Sequence, residues 1–136
     1  MRNIKVLISY RGTAYHGFQR QENAVGIQNV LEEKLSYLTN GSVKINGCSR
    51  TDTGVHANEY CFSFETAHGI PCSNLIRGLN STLPDDIAVH HCEDVSSDFH
   101  ARFSCIGKEY QYLILNQPTR DPFLSDLAFH YPYPLD

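Results

Sequence analysis

At 136 residues the chain is about one domain, long enough for a single hydrophobic core but short for an enzyme with a deep cleft between two lobes. Hydrophobic content of 41% and charged content of 19% exclude a disordered, collagenous or membrane-embedded chain. The net charge of −4 weighs against a phosphate-rich partner, yet it is uneven: residues 1 to 50 carry +4 and residues 51 to 136 carry −8, which leaves room for a basic N-terminal face.

In chain order, IKVLISY (4 to 10) alternates Ile4, Val6, Ile8 and Tyr10 on one face, a strand ended by Arg11-Gly12-Thr13. AYHGFQRQEN has no period. From Gly26 to Leu38, Ile27, Val30, Leu31, Leu35 and Leu38 form one stripe of an amphipathic helix, with Glu32, Glu33 and Lys34 outside it. Short strands are expected at 42 to 48 and 59 to 65, with residues between them forming a loop. Ser73 is placed to cap a second helix carrying Leu75, Ile76 and Leu79 and stopped by Pro84; IAVHHC (87 to 92) is the next strand. Residues 105 to 115 alternate strongly and read as a long final strand with Ile106, Lys108, Tyr110, Tyr112 and Ile114 on one side.

Strand, helix, strand, strand, helix, strand is the split βαβ pattern of an α+β ferredoxin-like domain, an antiparallel sheet with helices on one face, here with an extra long C-terminal strand. Such a fold hosts RNA-recognition modules and enzymes alike. On the sheet's uncovered face, Lys108, Tyr110 and Tyr112 would suit stacking of unpaired bases, although strand tyrosines more often pack a core.

The five cysteines are odd in number and irregularly spaced, so they suggest neither a disulfide framework nor a zinc site. His90 and His91 beside Cys92 invite a metal reading, but neighbours on a strand point to opposite faces, and no metal is expected. No apolar stretch is long enough to span a membrane and MRNIKVLISY lacks a signal-peptide core, so a cytoplasmic protein is expected.

The stretch with most chemistry is CSRTDTGVHA, 48 to 57. Arg50 offers a forked cation for phosphate or for filling a gap in a base stack, and Gly54 lets backbone approach closely. Between them, Asp52 is suited to act as a nucleophile on a sugar carbon or an electron-poor ring, held ionised by the arginine. The same residue types also make an Asx turn, with Asp52 bonding the amides of Thr53 or Gly54 and pairing with Arg50 at the surface. These four residue types do not choose between the two.

Six blocks in order choose. SYRGTAYHGFQRQ (9 to 21), GIQNVLEEKL (26 to 35), SRTDTGVHA (49 to 57), LNSTLPDDIAV (79 to 89), FHARFS (99 to 104) and KEYQYLILN (108 to 116) resemble the N-terminal half of the tRNA pseudouridine synthase A family. Departures are Ser49, where the family usually has glycine, and Arg11, in place of an acidic residue. The resemblance implies isomerisation of uridine to pseudouridine at positions 38 to 40 of the tRNA anticodon stem-loop, without cofactor or metal. It implies that Asp52 is the catalytic aspartate, that Arg50 extrudes the target base, and that Tyr110 stacks on the flipped uracil and takes the C5 proton. Attack at C1′, attack at C6 and glycal formation all remain open to Asp52. Flipping costs a few kcal/mol, which Arg50 would offset by filling the stack.

Gln19, Arg20, His56, His100, Arg102 and Lys108 are candidate substrate-binding residues. Gln19 and Arg20 suit RNA backbone contacts; His100 and Arg102 are expected to hydrogen-bond or pair with the active loop. Family members are about twice this length, with the site in a cleft between two similar domains and a homodimer interface built largely by the second. The chain therefore reads as residues 1 to 136 of an N-terminal catalytic domain, the second domain absent, and as weak or inactive alone. A non-catalytic RNA-binding ferredoxin-like module is the alternative. A carboxylate-dependent glycosidase ranks last, because no second acid lies near Asp52.

Overall fold

Alternation of β-branched and polar residues makes the first strand, β1 (Arg2–Tyr10), and puts Ile4, Val6, Ile8 and Tyr10 into the core. The computed structural model describes residues 1–104, 107 and 109–135, and these fall into two units, Met1–Cys105 and Ile106–Asp136. In the first unit β1 is followed by α1 (Ile27–Leu38), β2 (Ile45–Gly47), β3 (Ala57–Thr66), α2 (Cys72–Thr82) and β4 (Ile87–Val95). All ladders of the four-stranded sheet are antiparallel, in the order β2-β3-β1-β4. Each helix thus joins two strands that run the same way with a third between them, the split βαβ arrangement read from the sequence.

Both helices cover one face of the sheet. Ile27, Leu31 and Leu35 of α1 and Leu75 and Leu79 of α2 join the inward residues Ile4, Val6, Ile8, Phe62, Phe64 and Val89 in one buried cluster. Glu32 was expected outside this stripe and is instead buried. Its carboxylate accepts the Ile45 amide at 2.9 Å, the Gln28 side chain at 3.0 Å and the Arg20 guanidinium at 2.8 Å, so it joins the helix to the start of β2. Burial with all these partners satisfied is what makes a carboxylate tolerable there.

Helix α2 starts one residue earlier than its expected cap. Pro71, extended at φ −62°, is the residue before the helix, its carbonyl taking the Leu75 amide at 3.0 Å, so Ser73 lies in the first turn and caps nothing. The helix stops at Thr82 because Leu83 precedes Pro84 and is held extended. Asn80 reaches from α2 to β4, an edge strand, where its side chain both donates to the Val89 carbonyl (3.0 Å) and accepts the Val89 amide (2.8 Å).

Strand β4 carries a bulge: Leu7 faces His91 but Ile8 faces Val89, leaving His90 as the extra residue. Val89 and Cys92 both point inward, and His90 and His91 are both exposed, so the opposite-face argument against a metal pair does not hold. His90 Nε2 instead meets Ser9 Oγ at 2.6 Å, His91 lies 3.7 Å from Glu93, and no group of three metal-binding side chains occurs among the described residues.

The sheet's other face is not fully open. Segment 96–104 crosses it, held by Asn3, whose amide donates to the Ser96 and Phe99 carbonyls (2.9 and 2.8 Å), and by Ser63 Oγ, which accepts the Ala101 amide at 3.1 Å. Ala101 is buried and Lys5 lies 5.7 Å from the Phe99 ring.

In the second unit, β5 (Ile114–Leu115) pairs in parallel with β6 (Phe129–His130). Among the described residues of the expected strand at 105 to 115, only these last two are strand. Alternation selects a face but supplies no partner, and here the ladder is as short as β6. Ile106 and Lys108, which that reading placed on the strand, lie outside the described residues. Asn116 ties the unit together, donating to the carbonyls of Tyr131 (2.8 Å) and Tyr133 (2.6 Å). No helix among the described residues is long and apolar enough to cross a membrane.

Candidate active site

The loop carrying Asp52 rests on three aromatic rings from three different segments. Phe18 stacks on Tyr60 with centroids 4.2 Å apart, and Tyr10 packs edge-on against Tyr60 at 5.8 Å. All three are buried, and the two phenols point up into the loop. Tyr10 OH lies 3.0 Å from Thr51 Oγ1; Tyr60 OH donates to the Ser49 carbonyl and accepts its amide at 3.3 Å. Burial raises the Tyr10 phenol to about 12 and pushes Tyr60 up further, so both stay protonated hydrogen-bonding groups at neutral pH.

Residues 11–18, aperiodic in the sequence, clamp the loop from the side. Gly17 lies against Thr51, where a Cβ would stand 2.3 Å from the carbonyl oxygen; Gly12 lies against Val55, where a Cβ would stand 2.0 Å from its oxygen. Between these contacts the Gly54 amide donates to the Tyr15 carbonyl at 3.3 Å, and the Gly12 amide donates to His56 Nδ1 at 2.8 Å. The clamp is itself anchored to the start of β4: Tyr15 OH donates to Asp86 Oδ1 at 2.7 Å, and the Arg11 amide donates to the Asp86 carbonyl at 2.9 Å. Burial, then the neighbouring Asp86 carboxylate, push the Tyr15 phenol upward.

At its tip the loop makes a four-residue turn, Asp52 to Val55, closed by the Val55 amide on the Asp52 carbonyl at 3.2 Å. Gly54 occupies the third position with φ +81°, the conformation that a type II turn requires there and that glycine adopts without steric cost. The turn is therefore built from backbone and one glycine. Asp52 is exposed, its side chain has no hydrogen-bond or ion-pair partner among the described residues, and neither the Asx turn nor the Arg50 ion pair is present. Arg50 is likewise exposed. A carboxylate and a guanidinium two residues apart thus stand in solvent on a loop whose backbone is fixed from below and from one side. Such a group is available to a ligand at no cost in native contacts.

The other sequence candidates have different positions. Arg20 is bonded to the buried Glu32, and its amide donates to Gln28 at 3.0 Å; Gln19 is half-buried beside it. His100 and Arg102 do not reach the Asp52 loop among the described residues. His100 Nδ1 accepts the Arg102 amide at 3.2 Å, and both flank Phe103, because the anchoring of Ala101 to Ser63 holds this segment on the outer face of the sheet. Tyr110 and Tyr112 belong to the second unit and are exposed there. Lys108 lies outside the described residues. A groove of about 580 Å³ in the second unit is lined by Leu113, Leu127, Phe129 and Tyr112, one of the tyrosines expected to suit base stacking; Tyr110 is not in its lining.

Tyr15, Phe18, Tyr60 and Asp86 were not singled out from sequence, and Tyr10 was read only as a face residue of the first strand. The readable signal was the pair of glycines five residues apart in a segment without periodicity, a spacing that suits backbone packed on backbone.

Fold and loop together define an α+β ferredoxin-like domain that presents an unpaired carboxylate beside an arginine. Residues 6–104 match the sequence profile of a family described as tRNA pseudouridine synthase, and the chain belongs to that family. Over its whole length it is 45% identical to the tRNA pseudouridine synthase A of Thermoanaerobacter sp. strain X514 and 43% identical to that of Acetivibrio thermocellus; it is also 43% identical to tRNA pseudouridine synthase A 2 of Clostridium perfringens. In each case it covers 56% of the relative, so the chain spans little more than half the length of these proteins.

Proposed function

We propose that the protein isomerises uridine to pseudouridine at positions 38 to 40 of the tRNA anticodon stem-loop, with Asp52 as nucleophile. The observation that carries this reading is the exposed Asp52 carboxylate on a loop that has no structural need of it, in a chain of this family. In the reaction the N1–C1′ bond breaks, the uracil turns, and a C5–C1′ bond forms while C5 loses its proton and N1 gains one. Asp52 engages the nucleoside to open the glycosidic bond, and the fixed backbone beneath it limits the reorganisation this requires. Arg50 enters the base stack where the uridine has left it. Tyr110 stacks on the uracil and takes the C5 proton. Turnover at the full rate requires the length that the curated relatives have beyond this chain, the full-length protein acts as a homodimer, and the reaction takes place in the cytoplasm.

The test follows tritium release from an anticodon stem-loop labelled at uridine C5, using the full-length gene product and its Asp52→Asn variant. Release that vanishes in the variant supports the reading. Persistent release in the variant removes Asp52 from the chemistry, and silence of the full-length protein with RNA binding intact returns the chain to a non-catalytic RNA-binding module.

A further inference from the structure

His56 was a candidate for touching substrate, and its geometry points elsewhere. Its Nδ1 accepts the amide of Gly12, a residue whose backbone packs against Val55 so closely that no Cβ would fit. An accepting Nδ1 carries no proton, so this bond also selects the ring's tautomer. Contacts among the described residues hold the segment from Thr51 to His56 along its length. Thr51 is fixed by Tyr10 and lies on Gly17, the Gly54 amide is bonded to the Tyr15 carbonyl, and the downstream end is closed by the His56 side chain. The Gly54 bond and the Gly12–Val55 contact hold the turn against residues 11–18, and the His56 bond ties its downstream end to that same segment through a side chain.

We propose that His56 is a positioning residue, whose imidazole fixes the Asp52 turn against residues 11–18 and does not contact RNA. The assignment rests on the synthase reading above for its catalytic consequence, but the bond itself has an independent readout. Asparagine places its carbonyl oxygen where Nδ1 stands, whereas glutamine places its amide beyond it and leucine offers no acceptor.

The full-length gene product would be compared with His56→Asn, His56→Gln and His56→Leu for kcat and KM of tritium release, and for hydrogen exchange at the Gly12 amide. For Gln and Leu, kcat falls on the order of 10- to 100-fold with KM unchanged within about threefold, because a turn displaced by an ångström misaligns its carboxylate. Asparagine retains kcat within about threefold of wild type. Exchange at Gly12 speeds up in Gln and Leu and stays slow in Asn. Should leucine prevent folding, the Asn and Gln pair carries the comparison. Equal losses for Asn and Gln, a loss expressed in KM, or equal Gly12 exchange in all variants would overturn the proposal. A wild-type protein that releases no tritium refutes the synthase reading alone, and Gly12 exchange then still decides the fate of the His56 bond.

Discussion

Four glycines separate two physical effects at the candidate site. Gly17 has both a positive φ of +80° and a Cβ position 2.3 Å from the Thr51 oxygen; Gly54 has the positive φ, +81°, but open space around it; Gly12 has the close approach, 2.0 Å from the Val55 oxygen, without the positive φ; Gly69 has neither. Left-handed backbone costs an L-residue about 1–2 kcal/mol. Forcing a methyl into packed backbone costs about 1–3 kcal/mol. Against these, alanine gains about 0.4–1 kcal/mol by narrowing the unfolded ensemble. Replacement by alanine is thus expected to be neutral or slightly stabilising at Gly69 and to cost about 1 kcal/mol at Gly54. At Gly12 it costs about 1–2 kcal/mol and at Gly17 about 2–4 kcal/mol. Urea unfolding of the four variants, with m-values compared, gives the ranking directly. A Gly17→Ala protein as stable as Gly69→Ala would refute the argument that residues 11–18 pack backbone-on-backbone against the Asp52 loop.

Asp52→Asn should leave stability within about 0.5 kcal/mol of wild type, since the turn uses none of its side-chain atoms, while abolishing tritium release; a drop in melting temperature would restore a structural role. Glu32→Ala and Glu33→Ala look alike in the sequence, but the first strands the Ile45 amide and Arg20 and should cost about 2–3 kcal/mol, whereas the second, on an exposed side chain 3.9 Å from Lys34, should cost under about 0.5 kcal/mol in denaturant titrations. At alkaline pH the folded Tyr10, raised from 10.0 to about 12 by burial, keeps a proton that the unfolded chain has lost. Its stabilisation is complete below pH 10 and decays as pH rises towards 12, by about 3 kcal/mol in all. Tyr10→Phe should flatten that part of the stability curve, and an unchanged slope would contradict the burial argument.

Much of the fold was legible because its signals are local and periodic. The α1 stripe, the β1 alternation and the Pro84 stop each name an element without knowledge of its neighbours. What failed depended on partners. Glu32 sits at a solvent-facing position of the helical pattern but answers to Ile45 and Arg20, residues far off that helix face. Among the described residues of the alternating stretch 105 to 115, only 114 and 115 are strand, since a strand lasts only as long as its ladder and β6 offers two residues. The bulge at His90 inverted a face that strict alternation assigned. At the candidate site, the position of Asp52 on a loop was readable from its motif, while the aromatic floor was not, because Tyr10, Phe18 and Tyr60 look like ordinary core residues until the loop is seen above them. His100 and Arg102 were misplaced for the same reason: nothing in FHARFS announces that Ala101 is anchored to Ser63.

Asn80 bears on a hazard that arises before the protein ever meets a substrate. A nine-residue strand at the margin of a sheet is a template on which other chains can grow, and newly made polypeptides are most vulnerable to this while crowded and incompletely folded. By filling both hydrogen-bonding groups of Val89 with one amide side chain, next to a bulge that already breaks the pleat, α2 interrupts that margin near its start and shortens the run a foreign strand could copy. The helix that helps to build the core therefore also acts as a guard against aggregation.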